Sequence, residues 1–256
     1  MPPRKTKLPP KQIKAVIFDL DDTLIDWSNL DVSWDEFHLS RIEKVWEYLT
    51  ENGHKLPPLP ELFQFMKDRI RQIWDEARQE WVIPSMGQAM HQMLLDLNIP
   101  PDQVDMQTLL SHYNWGVYPG VVPFDDTHHV LETLRQQNYK IGLVTNSIFH
   151  MWMRDIELEA YDLIDYFDAR LTSGDVGYLK PHPQIYHHIL EKLDVRPNQA
   201  VFVGDRPQND IAGANDVGLI SVLMSPPHLE RKLDGVIPDH TISSLSELLP
   251  ILEQLN

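Results

Sequence analysis

Short, uninterrupted runs of apolar residues recur along the chain and mark its predicted strands. They lack the alternation of a half-exposed strand, which is typical of strands buried on both faces of a parallel sheet. The clearest runs span 15–18, 140–145, 200–204 and 219–224, with shorter candidates at 167–171 and 241–242. These runs predict a sheet at the centre of the molecule.

Between these runs the apolar residues follow helical spacing. In the second half of the chain the helical segments span 127–137, 149–158, 182–193 and 207–216, with a last helix from Leu245. Strands that alternate with helices build parallel sheets with right-handed crossovers. The pattern therefore predicts an α/β fold with a Rossmann-like, doubly wound parallel sheet as its core.

The segment from 30 to 116 differs, because it shows helical spacing and no strand signal. Ser33 is a candidate N-cap for its first helix, and Gly53 a candidate end. Three further helices are predicted at 62–74, 86–97 and 104–113.

These patterns predict the division of the chain. The first strand precedes the helical segment and the other strands follow it, so the helical part is a cap grown from a loop of the core. We predict an all-helical cap at 30–116 and a core formed by 13–29 and 117–256. The first residues are rich in proline and lysine and predict a flexible basic tail at 1–12.

Composition narrows the classes of function. Of the 256 residues, 42% are hydrophobic and 23% are charged, which is ordinary for a globular protein. The chain has no cysteine, which excludes disulfide bonds, thiolate metal sites and a cysteine nucleophile. The absence of cysteine is also compatible with a reducing compartment, and we expect a cytoplasmic protein.

The formal net charge of −16 disfavours two kinds of partner. Nucleic acids and anionic membrane surfaces are both bound through Lys and Arg. No apolar run approaches the length of a membrane span, roughly 20 residues. We therefore expect no nucleic acid and no membrane as partner. A small anionic substrate remains open, because a metal ion and a lysine can reverse the field inside one cleft. The oligomeric state also remains open.

The first apolar run ends in a cluster of acids. Asp19, Asp21 and Asp22 directly follow the strand at 15–18. Ligands of parallel sheets bind beyond the carboxyl ends of the strands. Like charges beside a buried strand require a neutralising cation, and carboxylate oxygens favour Mg2+. The alternative is a helix N-cap, but three acids within four positions favour a functional site.

Two carboxylates at positions i and i+2 can divide a reaction between them. Asp19, at the tip of the strand, can attack an electrophile and form an aspartyl intermediate. Asp21, one residue further round the turn, can donate and accept a proton. The pair therefore predicts nucleophilic catalysis assisted by a general acid and base.

Three later segments place chemically active residues at or near predicted strand ends. Thr145 and Asn146 end the strand at 140–145, where a hydroxyl and free N–H groups suit a phosphate oxygen, although capping is the commoner role. Lys180 precedes a proline and is expected in an extended segment. Asp205 and Asp210 follow the strand at 200–204, where an N-terminal helix charge is the alternative to a metal site.

The order of these residues resembles the motifs of the haloacid dehalogenase-like (HAD) hydrolases. Asp19-Leu20-Asp21-Asp22-Thr23 is similar to the D-x-D-x-T motif. Thr145 resembles the second motif, and Lys180-Pro181 the third in its lysine-proline form. Gly204-Asp205 through Asp210 resembles the fourth, G-D-x-x-x-x-D.

The resemblance implies a role for each matching residue. It makes Asp19 the nucleophile and a metal ligand, and Asp21 the acid and base and a metal ligand through its backbone carbonyl. Thr145 and Lys180 would take part in catalysis by binding phosphate, and Asn146 would contribute to substrate binding. Mg2+ would be held by Asp205 as well, and that site would be supported by Asp210.

The resemblance also implies an activity. A dehalogenase needs no acid at the second position, whereas a phosphatase or phosphomutase does, so Asp21 favours phosphoryl transfer. We expect a Mg2+-dependent phosphomonoester hydrolase that forms a phosphoaspartate on a small soluble phosphate ester and has a C1-type helical cap. A phosphomutase, a 2-haloacid dehalogenase and a non-catalytic binding protein are the alternatives.

Overall fold

The computed structural model describes residues 13–256. The predicted basic tail at 1–12 lies outside the described residues. Within the described range, none of the helices is both long and apolar enough to cross a membrane.

The described chain contains eight strands and ten α-helices. The strands are β1 Ala15–Phe18, β2 Ile25–Asp26, β3 Val122–Pro123, β4 Lys140–Thr145, β5 Ala169–Thr172, β6 Ala200–Gly204, β7 Ile220–Met224 and β8 His240–Ile242. The helices are α1 Trp34–Glu51, α2 Leu59–Glu80, α3 Met86–Asp96, α4 Met106–Tyr113, α5 Thr127–Gln136, α6 Met151–Ala160, α7 Ser173–Val176, α8 Pro183–Leu193, α9 Gly213–Val217 and α10 Leu248–Leu255. A π-helical segment, Pro207–Ala212, leads directly into α9.

Six parallel strands form the central sheet, in the order β5-β4-β1-β6-β7-β8. The first strand of the chain lies in the middle, and Phe18 is level with Leu143 of β4 and Val203 of β6. The residues that follow these three strands therefore lie side by side at one edge of the sheet. This geometry brings together motifs that are far apart along the chain.

Both faces of the sheet are covered, which confirms the predicted doubly wound α/β fold. Val16 and Phe18 pack with residues of α5, α6 and α10 on one face. Ala15 and Ile17 pack with residues of α8 and α9 on the other. The larger side chains, Val16, Ile17 and Phe18, each contribute about 1.5–3 kcal/mol when they leave water. The absence of alternation in β1 is thus explained by two cores, one on each face.

Helices α1 to α4 lie between the first and later core strands and form a helical cap. The predicted N-cap of α1 is confirmed, because Ser33 accepts from the backbone N–H of Glu36 and the Glu36 carboxylate accepts from the N–H of Ser33. The structure adds one feature to the sequence prediction. The two linkers, which are the chain segments that join the core to the cap, carry β2 and β3, and these strands pair antiparallel. The predicted domain boundaries and the C1 type of the cap stay predictions.

The two linkers also touch at a glycine. Gly120 has φ of +84°, and a Cβ there would lie 1.8 Å from the main-chain oxygen of Asn29. Only glycine has both the left-handed conformation and the space that this contact requires. The crossing of the linkers therefore depends on Gly120.

Gly120→Ala is expected to destabilise the protein more than Gly53→Ala. Gly53 has the same φ of +84°, but a Cβ there would meet nothing within 4 Å. The alanine at 53 should cost about 1–2 kcal/mol through its left-handed backbone. At 120 the overlap with Asn29 should add about 1–3 kcal/mol. Urea denaturation measures both free energies of unfolding, and equal losses would contradict the predicted role of the linker contact.

Candidate active site

Lys180 lies at the centre of a charged cluster at the carboxyl edge of the sheet. Its Nζ is 2.6 Å from Oδ1 of Asp19 and 2.7 Å from Oδ1 of Asp210, and it donates to the backbone oxygen of Val144 at 3.0 Å. The lysine is 2% exposed. One buried ammonium group therefore offsets charge on two buried carboxylates.

Three carboxylates in this cluster can share one cation. Asp19, Asp205 and Asp210 each offer an oxygen, and these oxygens all lie within 4.8 Å of one another. Oδ1 of Asp205 is buried and has no hydrogen-bond partner among the described residues. A buried oxygen without a donor is costly unless a cation or water binds it. The donor set, made only of carboxylate oxygens, fits Mg2+.

The crowding of these acids is reflected in their pKa values. Burial, followed by the nearby Asp210 and Asp19 carboxylates, raises the pKa of Asp205 to about 8. Burial also raises the pKa of Asp19 to about 7, against the lowering effect of Lys180. Both directions are expected for like charges held together away from water. A divalent cation would favour the ionised forms.

Arg231 holds the other oxygen of Asp205. Its Nη2 lies 2.6 Å from Oδ2 of Asp205 and 2.9 Å from Oδ2 of Asp22, and its Nε donates to Oδ2 of Asp205 at 3.0 Å. The arginine comes from the segment between β7 and β8, 26 positions after Asp205. Sequence reasoning missed it, because no motif or spacing relates it to the acids.

The carboxylate of Asp21 is held by three side chains. Its Oδ1 accepts from Nε1 of Trp27 at 3.0 Å and from Nη2 of Arg154 at 2.8 Å. Its Oδ2 accepts from the hydroxyl of Thr145 at 3.3 Å. Burial alone would raise the pKa of Asp21, but the Arg154 charge and the hydrogen bonds from Arg154 and Trp27 outweigh it and lower the pKa. The Asp21 side chain does not belong to the cluster of Asp19, Asp205 and Asp210. The metal contact expected through the backbone carbonyl of Asp21 stays a prediction.

Arg154 extends this contact into the protein. It is 4% exposed, and its Nε donates to Oε1 of Glu157, whose Oε2 accepts from Nε1 of Trp115 at 3.3 Å. The guanidinium therefore bridges two carboxylates, those of Asp21 and Glu157. The sequence places Arg154 on a predicted helix but gives no signal that it reaches Asp21.

Asn146 fixes the backbone of the lysine. Its Oδ1 accepts from the backbone N–H of Lys180 at 2.8 Å, and its Nδ2 donates to the backbone oxygen of Lys180 at 3.0 Å. This paired contact ties the lysine segment to the end of β4. A direct contact of Asn146 with substrate stays a prediction.

Gly204 leaves room for the last acid of the fourth motif. A Cβ on Gly204 would lie 2.4 Å from Cγ of Asp210. Oδ2 of Asp210 accepts from the backbone N–H of Arg206 at 2.8 Å, which holds the acid across the turn. The absence of a Cβ at Gly204 therefore leaves the space that the Asp210 side chain occupies.

Two cavities adjoin the cluster. The smaller, of about 330 Å3, is lined by Asp19, Thr145, Lys180 and Asp210 of the core and by Trp74, Arg78 and Trp81 of the cap region. The larger, of about 660 Å3, lies between cap and core. Asp21, Trp74 and Arg78 line both. Asp21 therefore faces both cavities, whereas Asp19 faces only the smaller one.

The chain thus has a parallel α/β core with a helical cap and an acid cluster at the strand ends. The chain matches the family model of the haloacid dehalogenase-like hydrolases over residues 13–218. It therefore belongs to this family, which confirms the resemblance seen in the four motifs.

Individual relatives are similar along almost the whole chain. Pyrophosphatase PpaX from Bacillus mycoides (strain KBAB4) is 27% identical over 247 residues, which are 96% of this chain and 99% of the relative. The crystal structure of a HAD phosphatase from Thermococcus onnurineus is 26% identical, with a TM-score of 0.60 over 94% of this chain and 98% of that one. A 2-haloacid dehalogenase from Pseudomonas syringae pv. Tomato DC3000 has a TM-score of 0.63 over 96% and 100% of the two chains, at 24% identity, and shares the fold.

Proposed function

We propose that this hydrolase is a Mg2+-dependent phosphatase that cleaves phosphate monoesters of small molecules through a phosphoaspartate on Asp19. The proposal rests on one observation above all. A buried lysine joins the candidate nucleophile Asp19 to Asp210 directly beneath a cavity of about 330 Å3. The names of the pyrophosphatase and phosphatase relatives support the same class of reaction.

The first step forms a bond between Asp19 and phosphorus. A carboxylate oxygen of Asp19 attacks, the bond from phosphorus to the ester oxygen breaks, and the electron pair stays on the leaving oxygen. Lys180 and Thr145 neutralise and orient the phosphoryl oxygens, while Asp21 supplies the proton that the leaving oxygen needs.

The second step reverses these roles. Asp21, now ionised, takes a proton from a water molecule, whose oxygen attacks the phosphorus of the phosphoaspartate. The bond between phosphorus and Asp19 breaks, which releases phosphate and regenerates the carboxylate. The Arg154 and Trp27 contacts hold one oxygen of Asp21, so that the other, near Thr145, is directed to the reacting atoms.

Asp19 and Asp205 would hold Mg2+, together with the backbone carbonyl of Asp21, and Asp210 would support the site. The ion would supply positive charge to the phosphoryl oxygens and to the crowded carboxylates. The orphaned oxygen of Asp205 and the clustering of the three carboxylates are the observations that support it.

Two other reactions use the same core. A phosphomutase would return an isomerised phosphate ester instead of free phosphate, and a dehalogenase would release halide from a 2-haloacid. Phosphoryl transfer to and from an ester oxygen needs a group that exchanges a proton with that oxygen, and the Asp21 carboxyl, held in place by Trp27 and Arg154, can be that group. Measuring free phosphate released from a panel of phosphate esters, with and without Mg2+, tests the proposal. Phosphate release no greater than that of the Asp19→Asn protein would contradict the proposed phosphatase activity.

Mg2+ is expected to stabilise the folded protein. An ion that binds only the folded state at 100 times its Kd adds about 2.7 kcal/mol, which corresponds to roughly 5–10 °C in Tm. Thermal unfolding at millimolar Mg2+ measures this shift. Asp205→Asn should remove most of it, whereas the exposed Asp165→Asn should keep it. An unchanged shift in the Asp205 variant would contradict the assigned ligand.

This stabilisation should depend on pH. The pKa values of Asp19 and Asp205 are raised to about 7 and about 8, so without metal the folded state binds more protons than the unfolded state between about pH 4 and pH 8. Its free energy of unfolding therefore falls as the pH rises through that window. Since protons compete with the cation, the Mg2+ shift should be larger at about pH 8 than at about pH 5.5.

A further inference from the structure

The position of the leaving group follows from the position of the acid. A group that protonates the leaving oxygen must lie within hydrogen-bond reach of it. Asp21 lines both cavities, whereas Asp19 and Lys180 line only the smaller one. The phosphoryl group therefore belongs to the smaller cavity, and the leaving group extends past Asp21 into the larger one.

Aromatic rings from the cap, the linkers and the core line the larger cavity together with charged side chains such as Asp35, Lys67 and Arg71. Its volume of about 660 Å3 falls within the range of small-molecule sites, roughly 300–1,000 Å3. The aromatic lining residues are Trp27, Trp34, Phe63, Trp74, Tyr113, Trp115 and Phe149. An aliphatic polyol phosphate would leave much of this surface without a matching partner.

The aromatic lining begins at the acid itself. Trp27 donates its indole N–H to Asp21, and its ring stacks on Trp34 at 5.3 Å with an angle of 5° between the planes. Trp34 is 51% exposed even though it lies on this wall. A large exposed aromatic ring beside a catalytic acid is a surface suited to a flat, apolar partner.

Trp74 lies where the two cavities meet. It comes from α2 and lines both cavities. Within residues 13–256 it forms none of the aromatic ring pairs that join the other cleft tryptophans, Trp27, Trp34 and Trp115. Trp74 is half-buried and packs against the apolar core, and the part of it that lines both cavities can contact the leaving group next to the ester bond.

We infer that the substrate is a phosphate monoester whose leaving group carries an aromatic ring, and that Trp74 packs against this ring. The inference rests on the proposed phosphatase activity and names the class of substrate. Aromatic rings favour offset stacking or edge-to-face contacts, so a lining of this composition favours an aromatic over a saturated ring of equal size.

Three esters with the same kind of leaving oxygen test this inference. They are 3-phenylpropyl phosphate, 3-cyclohexylpropyl phosphate and propyl phosphate, so chemical reactivity is matched and only the distal group differs. We expect kcat/KM to be highest for the phenyl ester, by about tenfold or more over the propyl ester. The cyclohexyl ester should fall between them.

Variants of Trp74 test whether this residue packs against the aromatic ring of the leaving group. Trp74→Leu should reduce the phenyl-to-propyl ratio of kcat/KM by about fivefold or more, and Trp74→Phe should retain most of it. Trp152→Leu is the matched control, since Trp152 is a half-buried tryptophan of α6 that lines neither cavity. Its ratio should equal that of the unaltered protein.

The outcomes separate this inference from the proposed function. If none of the esters releases phosphate above the Asp19→Asn level, the phosphatase proposal itself fails. Equal kcat/KM values for the three esters would keep the phosphatase and overturn the aromatic leaving group. Equal values for the phenyl and cyclohexyl esters would overturn aromatic recognition, and an unchanged ratio in Trp74→Leu would overturn the role of Trp74.

Discussion

Asp19→Asn is expected to abolish phosphate release, with kcat lowered by roughly 10^4-fold or more. A carboxamide has the shape of the carboxylate but not its negative oxygen, so it cannot form the phosphoaspartate. The amide oxygen can still accept the 2.6 Å hydrogen bond that Lys180 donates to Oδ1. The substitution therefore removes the reacting group while it keeps the contact that organises the site.

The same variant should remain folded. Burial raises the pKa of Asp19 to about 7, which shows that its charged form is disfavoured in this environment. A neutral amide avoids that cost, so the free energy of unfolding should change by no more than about 1 kcal/mol. Asp165→Asn makes the same change at an exposed position and should keep full activity. Phosphate release by folded Asp19→Asn at near the unaltered rate would rule out Asp19 as the nucleophile.

Lys180→Met is expected to lower both activity and stability. Methionine has a similar length but no charge, so Asp19 and Asp210 would lose the ammonium that contacts both. Breaking a buried ion pair from one side costs about 3–5 kcal/mol, because the remaining charge is uncompensated. The loss of charge facing the phosphoryl group should also lower kcat by roughly 10^2–10^3-fold.

The loss of folding stability in Lys180→Met should depend on pH. Without the ammonium the pKa of Asp19 rises further, because Lys180 favours its ionised form. At about pH 5.5 Asp19 can take up a proton and relieve the charge, so the loss should be smaller there than at about pH 8. Denaturation in Mg2+-free buffer at the two pH values measures the difference.

Two further lysine variants control this result. Lys192→Met changes an exposed lysine of α8 and should alter neither activity nor stability by a measurable amount. Lys180→Arg keeps the charge but brings a wider, planar group into a fully buried position, so we expect it not to restore activity. Full activity in Lys180→Met would contradict the assigned phosphate contact.

Much of the core was predictable from the chain alone. The runs that became β1, β4, β6 and β7 lack alternation because they are buried on both faces, so nearly every residue of each strand has to be apolar or small. The boundaries of the short β5 were less certain from sequence, since it spans Ala169–Thr172 instead of 167–171. The pairing of β2 with β3 was missed, because two residues carry no periodicity.

The sequence by itself determined which acids, and which lysine, end the strands and connecting loops. Because parallel strands share one carboxyl edge, the strand pattern predicted that Asp19 and Asp205 meet, and the resemblance to the third family motif added Lys180. Only the tertiary structure decided what surrounds them. Arg154 and Arg231 reach the acids from a helix and a loop without a motif, since long side chains find partners in space that no spacing along the chain records. The aromatic rings of the larger cavity meet for the same physical reason. The packing of the cap on the core, and not any local pattern, brings Trp74 and Asp21 to the same two cavities.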